Sequence, residues 1–599
     1  MSNNEQIPER SEIQTCDKWD LSKLFAGDDE WNTALFEFEK MAEKIPAFQG
    51  TLGKTVENLA DWLDFSRDLN ILGERLGYWA FLRQSENEGD NTARTMSGKI
   101  TMAEAKANAA SSWENPEILA IPENTMKDFL LHDRIKDYRI YLEKILRYKP
   151  YILSGKEERI IAMNAEGEGS VKDAFSVLTN VDFNFGTIDM PEGKRPLSQS
   201  TFSMFLENEN RDIRQIAYNK FYDCFDSHKN VIAALLSGSV KQDVINARIR
   251  GYTSAREAAL FPDNVSLSVY DNLITAVNGK LDYLHRYYAL RKKVLKLNEL
   301  RHYDVYTPLV KNVQTTTGWN KAVDIISEAL APLGGEYVST LRSGLLGRWA
   351  DRYENKGKRS GAFSAGSFTG DPYILMNYKE NSIRDLFTLA HEGGHSMHSW
   401  YGARNNPFMH YKYTIFEAEV ASTFNEELLF RYLLNQSDDK QMRLYLVNKH
   451  ADELLGTLYR QTMFAEFEKV THELEENGTP LTTNILRSEY RKLLEKYFGS
   501  AMVFEETSDL EGMRIPHFYR AFYVYKYATG VSAALALADR VLNGGESEKQ
   551  DYFAFLKSGG SRFPIEALKV AGVDMGSPNP VNAACDTFGK LVTELEKML

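Results

Sequence analysis

His391, Glu392 and His395 stand as H-E-x-x-H inside Asn381 to Gly402, NSIRDLFTLAHEGGHSMHSWYG. On a helix, two histidines four residues apart lie one turn above each other, about 6 Å along the axis, so both imidazoles reach one cation. That is the arrangement of a zinc pair, and the glutamate between them is free to act on water instead of joining the ligands. Composition alone yields only roughly 0.014 such patterns in a chain of this size and histidine content. The flanks read as a helix: Ser382 and Asp385 form a capping box, and Gly402 serves as a stop. Ile383, Phe387, Ala390, Gly394, Met397 and Tyr401 recur at three- and four-residue steps, and Leu386 and Leu389 make a second apolar side. The helix is therefore buried around most of its circumference, where unpaired imidazoles and a carboxylate are costly without a cation. The segment His472 to Glu476, HELEE, is an internal control that lacks the second histidine and reads as a solvated face.

A catalytic zinc takes three protein ligands and keeps one position for water, whose pKa falls to about 7. His398 is one turn past His395 but roughly 10 Å along the axis from His391. It reads as a structural histidine or as a donor to a ligand. A third ligand comes more naturally from another helix, and the next stretch, Thr414 to Leu434 (TIFEAEVASTFNEELLFRYLL), sets Glu417, Glu419, Glu426 and Glu427 in apolar company. Buried carboxylates need a cation or donors. Spacing leaves both Glu419 and Glu426 open as the ligand.

These residues need a scaffold, and the composition says of what kind. The chain has 599 residues, 71 Lys plus Arg against 84 Asp plus Glu, and a formal charge of −13. An acidic surface without a basic block excludes nucleic acid and anionic membranes as expected partners. Hydrophobic residues at 43% and charged ones at 26% fit a globular chain. With 17 prolines in 599 residues, long stretches lack helix breakers. Trp31 to Ile45, Val56 to Leu82, Val231 to Arg248 and Ser266 to Lys296 carry helical apolar spacing, so the expected fold is mainly α. The breaks are Gly186 to Ser198, Lys356 to Pro372, Glu476 to Pro480 and Asn543 to Glu548. A boundary after the first gives an N-terminal helical domain, 1–200, and a catalytic domain, 201–599. Pro372 opens the short apolar run PYILMNY, which reads as an edge strand because proline cannot donate to a ladder. Cys16, Cys224 and Cys585 lie far apart with no C-x-x-C pair, and Met1 to Glu12 lacks a signal-peptide pattern. A cytoplasmic location is expected.

The strings HEGGHSMH and FEAEVAST together resemble the thimet-oligopeptidase-like zinc metallopeptidases, in their oligoendopeptidase F branch. WDLSKLF at Trp19, GAFS at Gly361, PYILMNY, IPHFYRAFYVYKYATG at Ile515 and FLKSGGSRFPIEALKVAGVDM extend the likeness along nearly the whole chain. Gly393 departs from the larger residue many relatives carry. The resemblance implies a large helical ellipsoid with a deep substrate channel, a small β-sheet near the active site and a zincin-like helix. It implies one Zn²⁺ per chain on His391, His395 and Glu419, with Glu426 orienting a ligand histidine. Glu392 becomes the general base for water attacking a peptide carbonyl, and then returns the proton to the leaving amine. The resemblance puts His517 and Tyr525 on substrate and oxyanion, with Tyr519, Tyr523 and Tyr527 as alternatives. Oligopeptides would be cleaved internally, aligned along an exposed strand edge. Two other readings are an H-E-x-x-H exopeptidase, which needs a cation such as Arg514, Arg520 or Lys526 for the terminal carboxylate, and a zinc-containing peptide binder without turnover. Nothing in the sequence speaks to oligomeric state.

Overall fold

The computed structural model describes residues 7–310, 313 and 315–599, so the first six residues of the N-terminal stretch lie outside it. Helices dominate, as the apolar spacing and the scarcity of proline require. The stretch 266–296 is not one helix: it breaks at Gly279 and Lys280 into Leu267–Asn278 and Leu281–Val294. Among the described residues, no helix is long and apolar enough to cross a membrane.

The chain forms two compact units, Met1–Ile152 with Gln314–Leu433 and Leu537–Gly572, and Leu153–Val313 with Leu434–Ala536 and Val573–Leu599. It therefore passes from one to the other five times, and a single cut near residue 200 does not describe it. The physical reason lies in the first unit, where Trp31, Trp62, Leu76 and Ile100 share one apolar core with Ala365, Tyr373 and Leu375 from much later in the chain.

In the second unit, a buried cluster joins Arg460 to Glu511 at 2.6 Å, with the Tyr490 hydroxyl donating to the same carboxylate at 2.9 Å. The break at Gly186 to Ser198 is an antiparallel hairpin, Thr187–Met190 with Gly193–Pro196. His472 does not face solvent as expected. It is buried, with Nδ1 2.7 Å from the Glu468 carbonyl and Nε2 3.4 Å from Asp243, while Glu476 accepts from the Ala255 N–H at 2.8 Å. The helix there turns its histidine inward because Phe522 packs against that ring at 4.5 Å.

The first unit builds the elements that matter for chemistry. Helices α1 (Val56–Glu86) and α2 (Asn91–Ala110) pack on each other. After α3 (Gly335–Leu346) come the strands β1 (Ala350–Asp351), β2 (Phe363–Ala365) and β3 (Tyr373–Leu375), then α4 (Ile383–Asn405), α5 (Ile415–Gln436) and α6 (Glu546–Ser558). The sheet order is β1-β3-β2, with β3 parallel to β1 and antiparallel to β2. The run opened by Pro372 is thus the central strand, fully buried, and not an edge. Pro372 precedes the strand by one residue, so its missing N–H removes no ladder bond. Among the described residues, β2 has a neighbour on one side only and supplies the free edge.

Helix α4 starts as the sequence suggests, with Ser382 Oγ accepting from the Asp385 N–H and Asp385 accepting from the Lys379 N–H at 2.8 Å. It does not stop at Gly402. A Cβ there would sit 2.7 Å from the Tyr411 carbonyl oxygen, so this glycine admits a neighbouring segment while the helix runs on to Asn405. Gly394 has the tighter role: a Cβ would lie 2.5 Å from the Ala421 carbonyl oxygen and 2.6 Å from Ser422 Cα. Helices α4 and α5 therefore meet backbone to backbone beside His395. Asn425 of α5 locks the contact, donating to the Ala390 carbonyl at 3.2 Å and accepting from the Tyr337 hydroxyl of α3 at 3.1 Å.

Two glycine variants separate this contact from simple helix propensity. Gly394→Ala forces rigid backbone apart and is expected to cost at least about 2 kcal/mol of stability, read by thermal melting, and to disturb the crossing of α4 and α5. Gly393→Ala meets only the tip of Leu341 at 3.3 Å, and is expected to melt at or slightly above the parent temperature, since the helix gains up to about 1 kcal/mol.

Candidate metal centre

The crossing of α4 and α5 brings three donors together. His391 Nε2 and His395 Nε2 are 3.2 Å apart, and Glu419 Oε2 lies 3.4 Å from the first and 3.9 Å from the second. Ligand atoms about 2.0 to 2.1 Å from a tetrahedral ion are roughly 3.3 Å from one another, so this set fits one zinc-sized cation. These three residues form the only His, Cys, Asp and Glu group of metal-binding geometry among the described residues. The donor chemistry agrees, since two imidazoles and a carboxylate suit Zn²⁺.

The four glutamates of α5 are sorted by their partners. Glu417 caps the helix start by accepting from the Thr414 N–H at 3.1 Å, and Glu427 accepts from Arg431 at 2.6 Å. Glu419 points at the imidazole pair. Glu426 Oε1 stands 3.5 Å from His391 Nδ1, the ring nitrogen facing away from the pair, and so fixes the tautomer that leaves Nε2 for a metal. The choice that spacing left open is made by which face of α5 meets which end of the imidazole.

The local field is strongly negative. Burial pulls the His391 imidazole down, but Glu426, and then Glu392 and Glu419, push it up to about 9. His395 is held down at about 3 by burial and by the charge on His391. The pair thus takes one positive charge readily and resists a second proton. Glu392 is buried beside them, pushed up to about 7 by burial, with His391 opposing and Glu419 and Glu426 adding to the rise. A carboxyl poised near neutrality is suited to accept and return a proton. The backbone N–H of Ser364, on the β2 edge, faces this carboxyl, and the Ser364 and Ser396 hydroxyls join β2 to α4 at 2.8 Å.

His398 takes no part in the donor set. Its ring is buried and stacked on Tyr413 with centroids 3.7 Å apart and planes within 1°, and neither ring nitrogen has a hydrogen-bond partner among the described residues. Tyr413 itself escaped the sequence reading. Its hydroxyl lies 3.1 Å from Ser399 Oγ and 3.4 Å from the His395 carbonyl, and burial with Glu419 and Glu392 nearby pushes it up to about 12. Only the tertiary fold reveals it, because it sits in the short connection between α4 and α5 with no motif of its own.

His517 and the tyrosines belong to the second unit. His517 is exposed, and Tyr523 and Tyr527 are half-buried with ring centroids 6.0 and 6.3 Å from it. Tyr525 differs from expectation: it is fully buried, 5.1 Å from the Tyr270 ring. Its place at the start of the helix Tyr525–Asn543 turns it into the unit's core. Tyr519 stacks on Phe175 at 4.5 Å. Of the three cations that an exopeptidase could use, Lys526 pairs with Asp263 at 2.6 Å and Arg514 lies 3.9 Å from Glu511, while Arg520 is exposed and stands 4.3 Å over the Tyr523 ring.

Comparison with known proteins agrees with this site. Residues 204–587 match the family model of peptidase family M3, and residues 117–185 match that of oligopeptidase F. The chain is 43% identical to oligopeptidase PepF of Bacillus subtilis (strain 168), over 99% of its own length and 89% of the relative. It is 40% identical to an oligoendopeptidase F homolog of Borreliella burgdorferi, over 98% of its length and 99% of the relative. The crystal structure of oligoendopeptidase-F from Enterococcus faecium superposes with a TM-score of 0.73 at 32% identity, covering 96% of this chain and 99% of that one. With a metal-ligand triad on two crossing helices and a family match across most of its length, this chain belongs to peptidase family M3 and is a metallopeptidase of the oligoendopeptidase F type.

Proposed function

We propose that the chain is a zinc-dependent endopeptidase that hydrolyses internal bonds of short oligopeptides. The observation that carries this is the convergence of His391, His395 and Glu419 within ligand distance of one another, with the Glu392 carboxyl alongside. Zinc held by those three would supply Lewis-acid chemistry, acidifying water and polarising a carbonyl. Glu392 takes the proton of the attacking water and delivers it to the leaving amine. Glu426 keeps the His391 ring oriented, and Tyr413 steadies the backbone at His395. The β2 edge, which has no strand on its outer side among the described residues, would take an extended peptide by main-chain pairing, with little demand on its sequence. For the oxyanion we assign His517 with Tyr523 or Tyr527, whose partial exposure suits substrate contact better than the buried Tyr525. Three free, widely spaced cysteines fit a reducing cytoplasm.

Two of the three cations open to an exopeptidase, Arg514 and Lys526, face acidic partners, which leaves Arg520 for a terminal carboxylate and makes end-blocked peptides the deciding substrates. A peptide acetylated at one end and amidated at the other is expected to be cut, with product masses locating an internal bond; resistance of every such peptide would replace this reading with an exopeptidase.

Glu392→Gln is expected to keep one zinc per chain while kcat falls by about 10² to 10⁴, the usual share of a general base. Glu419→Gln should instead lose the zinc itself, as metal analysis after dialysis would reveal. Unchanged turnover in Glu392→Gln would sink the assignment.

The pH profile carries a sign. Burial raises the Glu392 carboxyl to about 7, and a neighbouring dication favours its charged form and pulls it down again. As a base it must be ionised, so kcat/KM should rise with pH along a limb whose midpoint lies below 7; a midpoint well above 7 would point to another base.

A further inference from the structure

Within the first unit, an 880 Å³ cavity opens between α1, α2 and the segment 408–412. Ligand pockets commonly run from about 300 to 1,000 Å³, so it has room for more than water. Its walls carry three carboxylates, Glu74, Glu104 and Glu114, against one cation, Lys412. Glu74 is satisfied: it lies 2.8 Å from Lys412 Nζ and accepts from the Phe368 N–H and the Tyr411 hydroxyl. Among the described residues, the other two are not matched by a cation at ion-pair distance. Glu114 accepts a neutral hydrogen bond from the Tyr141 hydroxyl at 3.1 Å. Glu104 has no hydrogen bond among the described residues and meets only the more distant charge of Lys412, and burial pushes both carboxyls up. Trp62, 1% exposed, also lines the space, and its buried indole nitrogen faces Glu114 without a well-aligned hydrogen bond. Tyr78 and Phe81 add aromatic faces.

Under-matched carboxylates next to aromatic rings in a half-open cleft favour a positive charge on an apolar stem. The carboxylates offset its desolvation and the rings pack its methylenes and face its charge. The same segments border the substrate edge: the Tyr78 hydroxyl donates to the Gly366 carbonyl at 2.8 Å, directly after β2, and Lys412 adjoins Tyr413. We propose that this cavity is a binding subsite for an alkylammonium or guanidinium group, occupied in turnover by a basic side chain of the peptide substrate. The assignment to a peptide rests on the oligopeptidase reading above. Glu104 and Glu114 receive the charge, and Lys412 sets how much negative charge is left to receive it.

The test uses end-blocked, quenched peptides of one sequence in which a single lysine replaces norleucine at each position in turn. At one position, lysine is expected to lower KM by roughly tenfold with kcat within about twofold, the scale of one charge-assisted contact. Glu104→Gln should bring that ratio below about 2, and Lys412→Met should widen it, opposite shifts that a general loss of structure would not produce. Spermidine, as a free polyamine, should compete with the lysine peptide in the parent enzyme and not in Glu104→Gln. Spermidine binding that depends on Glu104, without any lysine effect on KM, would overturn the peptide assignment in favour of a free polyamine. Loss of both effects would overturn the subsite. Chelator-sensitive cleavage of the norleucine peptide with no lysine preference sinks the subsite alone, whereas failure to cleave any of the peptides sinks the oligopeptidase reading itself.

Discussion

The backbone contact between α4 and α5 at Gly394 is the constraint on which the metal centre depends. One helix can present two imidazoles to one point, but a third donor must arrive from elsewhere, and its reach is only the length of a glutamate side chain. Since Gly394 has no Cβ, the Ala421 carbonyl comes close to α4, and Glu419, two residues earlier, delivers its oxygen within 3.4 to 3.9 Å of both imidazole nitrogens. Asn425 sets the register through its bonds to Ala390 and Tyr337. The site is thus held by core packing, and rigid elements keep donors in place more accurately than loops do.

That geometry concentrates like charges. Glu392, Glu419 and Glu426 all act on His391, whose imidazole is pushed up to about 9, while Glu392 is pushed up to about 7. Elsewhere on α5 the chain avoids such crowding, with Glu417 used as a cap and Glu427 paired to Arg431. Along α5 the electrostatic tension is confined to the one cluster where a dication would relieve it, which is where a functional site is expected to break the rules obeyed by its surroundings. The ring of His398 stacked on Tyr413 adds a neutral, rigid backing.

The same economy of elements explains the sheet. Strand β3 is central and buried, β2 carries the free edge, and the two serine hydroxyls tie that edge to the metal helix. The proline that suggested an edge at Pro372 stands just outside the ladder, so the proposed substrate-aligning edge moves to the neighbouring strand, whose Ser364 N–H faces Glu392.

Much of the centre was legible in the order of residues because its parts are close in the chain. His391, Glu392 and His395 fall within two turns of one helix, and helical periodicity alone fixes their common face. Helical content followed from spacing and from the scarcity of proline for the same local reason. What lies between elements was not legible. The resemblance pointed to Glu419, but spacing could not separate it from Glu426. That choice depends on how α5 lies across α4, and hence on a glycine whose importance shows only when a second backbone is pressed against it. The buried side of His472, the core place of Tyr525, the contribution of Tyr413, the interleaved units and the acidic cavity beside α1 and α2 all arise from contacts between distant segments. Local order determined which groups could bind a metal and move a proton. Tertiary packing decided which of them meet, because desolvation and charge act through space and not along the chain.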